Sequence, residues 1–193
     1  HWSKHGLVLL GKYKNTWSKS GAIVARQSGS RIVAEKINGK YWMYFGDTDL
    51  FMATSEDLIH WQPVEENGVI KSVLKPRSGY FDSRLVESGA YALIKDQGIL
   101  LIYNGMNLDN GGDPSISKGA YCAGQALFDK NDPARLIGRL EKNFMKPEKN
   151  YEITGQVNQV CFLEGMVPFN GKWFLYYGTA DSKIPVAVHS GSS

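Results

Sequence analysis

One short motif recurs three times along the chain and limits what it can fold into. A Gly, six residues and a second Gly bracket an apolar-aromatic run in Gly39-Lys40-Tyr41-Trp42-Met43-Tyr44-Phe45-Gly46, in Gly98-Ile99-Leu100-Leu101-Ile102-Tyr103-Asn104-Gly105 and in Gly171-Lys172-Trp173-Phe174-Leu175-Tyr176-Tyr177-Gly178. Each first Gly is expected in a hairpin turn, where a positive φ costs it little. Each run that follows is short and apolar enough to be a strand buried on both faces. Another apolar segment precedes each turn: Ile32-Val33-Ala34, Tyr91-Ala92-Leu93-Ile94 and Met166-Val167-Pro168-Phe169. A third strand reads in Leu50–Thr54, Ala120–Leu127 and Ile184–Val188, and a fourth in Gly68–Leu74 and Arg135–Arg139. Ser55 and Asp129, the latter shortly before Pro133, stand where they could cap short helices.

Units of about four antiparallel strands repeating at this scale read as blades of a β-propeller, with a β-sandwich as the alternative. The expected class is all-β. The units divide one incomplete propeller domain, 1–193, into a remnant at 1–14 and blades at approximately 20–75, 82–145 and 156–189, with a polar, Gly-rich insertion at Asn107–Lys118. His1-Trp2 echoes His60-Trp61, so the chain reads as starting where a blade is ending. It stops after Ala187-Val188-His189, where a fourth strand is due, and Ser190-Gly191-Ser192-Ser193 reads as a flexible tail. Three blades fall short of the about four to eight that close a ring, and an open arc would expose sheet edges, so a substantial N-terminal part is expected to be missing.

Composition narrows the chemistry. The 22 basic and 19 acidic residues are interspersed and leave a net charge of +3. No basic stripe follows a phosphate backbone, so nucleic acid is not an expected partner. Without a long uninterrupted apolar run, a membrane is not one either. Cys122 and Cys161 lack the spacing of a zinc cluster or disulfide framework and read as buried thiols. The four His show no ligand spacing, and neither a phosphate loop nor a nucleophile elbow is present, so no metal and no cofactor is expected. Aromatics at 12% and 21 Gly suit tight turns and carbohydrate clefts.

Acids at strand ends then become the candidates. Glu87, after two apolar residues in Asp82-Ser83-Arg84-Leu85-Val86-Glu87, is expected at a strand start facing inward. Glu164 is a lone charge inside the apolar run Val160–Val167 and must be paired, hydrogen-bonded or turned to a cavity. Asp47 and Asp181 follow buried strands, and Asn104 is a lone polar residue within one, where capping the strand end is its plainer role. Paired carboxylates in an aromatic cleft fit glycoside hydrolysis, one acting as acid and the other activating water.

These segments resemble a known family. Phe81 through Gly89, Gly98 through Gly105, Ala126 through Pro133, Tyr151-Glu152-Ile153-Thr154-Gly155 and Trp173 through Asp181 are together similar to glycoside hydrolase family 130. The resemblance implies a five-bladed β-propeller that acts on β-mannosides, by phosphorolysis or hydrolysis, with inversion. The general acid it implies is an Asp of an early blade, with no counterpart in this sequence. Leu85 and Asn104 stand where the phosphorylases carry Lys and His, and Glu87 where they carry a small residue. A carboxylate there repels phosphate and can polarise water. The departures resemble the hydrolytic, β-1,2-mannosidase branch. They imply Glu87 and Glu164 as catalytic, Asp82, Asn104, Asp181 and Asp47 as binding mannose hydroxyls, and a mannose-containing oligosaccharide as partner. A phosphorylase, with phosphate near Arg84 or Lys19, and a non-catalytic sugar-binding propeller are the alternatives.

Overall fold

A computed structural model describes residues 1–191; Ser192 and Ser193 of the expected tail lie outside the described residues. The regular structure is almost entirely strand: β1 (Gly21–Ser28), β2 (Arg31–Ala34), β3 (Tyr41–Phe45), β4 (Leu50–Ser55), β5 (Gln62–Pro63), β6 (Glu65–Glu66), β7 (Val69–Ile70), β8 (Ser72–Leu74), β9 (Leu85–Ser88), β10 (Ala92–Lys95), β11 (Gly98–Met106), β12 (Tyr121–Phe128), β13 (Leu136–Arg139), β14 (Cys161–Phe169), β15 (Lys172–Thr179) and β16 (Val186–His189). One helical turn, α1 (Asn150–Ile153), and a 3-10 turn at Gly11–Tyr13 complete it. Among the described residues, no helix is long and apolar enough to cross a membrane.

Three antiparallel units follow the three motifs. In the first, β1, β3 and β4 lie side by side and both β5 and β8 pair with β4. In the second, β9 and β10 share β11 as partner, with β12 and β13 beyond. The third is β14-β15-β16. A parallel pairing of Val24 and Ala25 in β1 with Ala92 and Leu93 in β10 joins the first two units edge to edge.

The hairpin glycines divide by mechanism. Asn38-Gly39 and Asn170-Gly171 have φ near 52/80° and 48/71°, the double left-handed pair that matches strand twist. Gly98 instead opens β11 at a φ of 151°, and a Cβ there would lie 2.4 Å from the Phe128 carbonyl oxygen, so it supplies room as well as a backbone conformation that side chains disfavour.

Two expectations about elements need correction. Ile32–Ala34 does not pair with the Tyr41–Phe45 strand. It returns along β1, Ser28↔Arg31 to Ala25↔Ala34, while the first residues of β1 take β3. The chain makes a hairpin excursion before the inner strand can finish. The two caps also start no helix. Ser55 Oγ accepts from the amides of Asp57 and Leu58, Asp57 Oδ1 from Ile59 and His60, and Asp129 Oδ1 from Asn131 and Asp132. These side chains satisfy turns without a following apolar periodicity to propagate a helix.

The core lies between units, because the second buries both faces. Ala92, Ile94, Ile99, Leu101 and Tyr103 pack against Ala22, Val24, Tyr44 and Met52 of the first. On the other side Leu93, Ile102 and Ala123 meet Cys161, Leu163, Met166 and Leu175 of the third. Alternate residues of one strand thus serve opposite clusters, as the period of two requires. This places the Asn104 face of β11 against the third unit.

Candidate active site

β9 runs antiparallel to β11 with Glu87 directly opposite Asn104, so the two side chains share a face. That face looks at β14. Glu87 is fully buried, and neither carboxylate oxygen meets a well-aligned hydrogen-bond donor. A charge in that state must be met by another charge or shift its pKa. Both happen. Lys19, in the segment leading into β1, brings its Nζ to 3.1 Å from Glu87 Oε1 and to 3.8 Å from Asp47 Oδ2. The carboxyl pKa of Glu87 is nonetheless raised: burial outweighs Lys19, and the Asp47 charge pushes the same way. The phenol of Tyr121, at the start of β12, is held far above its usual range by burial, then by the charges of Glu87 and Asp47.

Glu164 reaches this cluster by a break in pairing. The ladder between β14 and β15 is regular up to Leu163↔Tyr177, then resumes at Gly165↔Tyr176, leaving Glu164 as the extra residue of a β-bulge. A bulge re-aims one side chain without disturbing its neighbours, which is how a lone acid within an apolar strand is turned out of the core. Glu164 is exposed and lines a hollow of about 280 Å³ with Ser20, Ser88, Tyr91 and Phe162. Its pKa is raised by partial desolvation and then by the Glu87 charge. Two acids on adjacent units thus share this region, the Glu87 charge disfavouring ionisation of Glu164, with Lys19 between Glu87 and Asp47.

The expected residues separate into those this cluster gathers and those it does not. Glu87, Glu164 and Asp47 come together. Asp82 does not: its buried carboxylate accepts from Arg77 Nε at 3.1 Å and Arg77 Nη2 at 2.8 Å, from Arg139 Nη2 at 2.6 Å and from the Tyr103 hydroxyl at 2.6 Å. Fully buried and held by two arginines and a tyrosine, it stands apart from the cluster in a structural ion-pair network. Asn104 is corrected likewise. Its Nδ2 donates to the Leu163 carbonyl at 3.2 Å and its Oδ1 accepts the Leu163 amide at 2.7 Å, stapling the second unit to the third. Asp181 is exposed in the left-handed turn Ala180–Asp181 and, among the described residues, joins no ion pair of the cluster. Arg84 is exposed too.

Two residues of the cluster escape a reading of the sequence. Tyr121 is hidden as the first residue of an ordinary-looking strand. Trp17 lies in the irregular polar segment Asn15–Ser20, where an isolated aromatic was the only signal, and its Nε1 donates to Asp47 Oδ2 at 2.7 Å. The thiols of Cys122 and Cys161 are both fully buried. Burial pushes Cys122 up to about 12.

With this geometry, the likeness to known proteins is specific. Residues 5–191 match the family model of glycoside hydrolase family 130, described as β-1,4-mannooligosaccharide phosphorylase. A β-1,2-mannobiose phosphorylase of Thermoanaerobacter sp. (strain X514) is 34% identical over 158 residues, 81% of this chain and 47% of its own. Among solved structures, a glycosyl hydrolase from Bacteroides ovatus superposes with a TM-score of 0.92 at 47% identity, over 95% of this chain and 51% of that one. A chain from work on family 130 glycoside hydrolases that target β-1,2 mannosidic linkages in Candida mannan gives 0.97 at 43% identity, over 100% of this chain and 55% of that one. The chain spans about half the length of the curated relatives it matches.

Proposed function

The chain belongs to glycoside hydrolase family 130, and on that premise we propose that it is the water-activating half of an inverting β-mannosidase, acting on β-1,2-linked mannosides. The proposal includes the architecture: the three units are blades of an incomplete five-bladed propeller, at about 20–75, 82–145 and 156–189. The second sheet, which buries both faces against its neighbours, supports that reading. Glu87 and Glu164 organise the attacking water, and the general acid comes from residues outside these 193, at roughly 6.5–9.5 Å from the base as inversion needs.

The observation that carries the proposal is a pair of carboxylates whose pKa values are both raised, Glu87 buried and Glu164 lining a hollow of single-ring size. A base with a raised pKa holds a proton more firmly and is better matched to water at neutral pH. Asp47, Glu87 and Glu164 outnumber the nearby cations Lys19 and Arg84 and make a field that disfavours phosphate. Phosphorolysis is the second reading, favoured by relatives described as phosphorylases and by the nearness of Lys19. The test is the complete protein with β-1,2-mannobiose, with and without phosphate. Hydrolysis predicts free mannose at an unchanged rate in phosphate-free buffer, with the first product anomer inverted by NMR. Turnover that requires phosphate and yields mannose 1-phosphate would overturn it.

A further inference from the structure

We propose that Trp17 is an aromatic platform for a sugar ring at the rim of the carboxylate cluster, and that Asp47 is the positioning residue that holds it there. The proposal rests on the mannoside reading above. Trp17 is 70% exposed in a segment with no regular structure. A single exposed apolar side chain is ordinary. What sets this one apart is how it is held. Its one polar atom is spent on Asp47 Oδ2, and the Asp47 side chain is only 12% exposed. Asp47 in turn lies beside Lys19, which pairs with the fully buried Glu87.

The indole is thus fixed by its edge to the same ions that surround the proposed base, and the ring faces are what it offers to solvent. Those faces carry the negative part of the aromatic quadrupole. They suit the electropositive C–H face of a pyranose, whose hydroxyls can reach the neighbouring acids. An anionic ligand is disfavoured by Asp47, Glu87 and Glu164. A neutral ring with one apolar face and several hydroxyls fits the remaining chemistry. In this arrangement Asp47 acts on the sugar through Trp17, in place of the direct contact with a hydroxyl that the resemblance implies.

The experiment uses the complete protein with β-1,2-mannobiose. Trp17→Ala is expected to raise KM on the order of tenfold with kcat little changed, the size of one lost aromatic contact. Trp17→Phe, which keeps a ring but not the N–H, recovers part of that loss. Asp47→Ala raises KM as well, and the double variant is no worse than Trp17→Ala alone, because the two side chains act as one unit. Should Trp17→Ala fail to fold, Trp17→Phe and Asp47→Ala carry the same test. A KM for Trp17→Ala within twofold of the parent, or fully additive effects of the two changes, would sink the platform while leaving the mannosidase intact. A parent protein that neither cleaves nor, by calorimetry, binds any β-mannoside would remove the mannoside reading and the platform together.

Discussion

A carboxyl group buried without a well-aligned hydrogen bond weakens the fold that holds it, and Glu87 is such a group. Its partner Lys19 is half exposed, so solvent screens the pair and returns little of the cost of burial. The folded pKa lies above the unfolded value near 4.5, so the native state binds the proton more tightly and stability falls as pH rises through that interval. Glu87→Gln removes the charge and keeps the shape. In the complete protein it is expected to melt at the parent's temperature or slightly higher at pH 8. The gap should close as pH falls toward 4.5; a scan of melting temperature against pH checks it. The same change is expected to lower kcat by roughly 10²–10⁴, the usual worth of a general base. It should also let Glu164 ionise at lower pH, readable as a shift in its carboxyl titration by NMR, because the Glu87 charge is one of the two causes holding that group up.

At the scale of elements, polar side chains that look alike in the sequence do different work once strands are placed. Asp82 ties the entry to β9 to Arg77 and Arg139. Removing one member of a buried ion pair typically costs about 3–5 kcal/mol. Asp82→Ala is therefore expected to drop the melting temperature by roughly 10 °C or more, while the folded fraction keeps its KM for mannobiose. An unchanged melting temperature with a raised KM would restore Asp82 to the sugar. Asn104→Ala leaves the Leu163 amide and carbonyl without partners, at about 1–3 kcal/mol for each buried group left unpaired, and hydrogen exchange at Leu163 should report it first. The all-β pattern was legible because turns such as Asn38-Gly39 and Asn170-Gly171 are set by local φ, and strand polarity by alternate residues. The partners of β1 were not, since pairing with β2, β3 and β10 is decided by segments distant in sequence. Nor could the sequence separate Asp82 from Glu87: Arg139, which pairs with the first, is brought in only by β13, and the bulge that turns Glu164 outward is a mismatch between two strands rather than a property of either. Trp17 gave no periodic signal because it stands in no element.

At the scale of the whole molecule, charge distribution separates the two reactions more sharply than any one side chain. The net charge is +3, from 22 basic and 19 acidic residues spread along the chain. Long-range steering needs a concentrated field, and this balance supplies little of one. The disaccharide is neutral. Its encounter with the protein should therefore be indifferent to ionic strength, since screening acts only between charges. A phosphorylase differs in its second substrate: an anion held by cations is lost as salt shortens the Debye length from about 10 Å at 0.1 M to about 3 Å at 1 M. Raising sodium chloride from 0.1 to 1 M is thus expected to leave kcat/KM for β-1,2-mannobiose within about twofold. A steep fall with salt would mean that a charged reactant must bind near Lys19 before the mannosidic bond breaks, and would move the reaction to phosphorolysis even if some hydrolysis were seen.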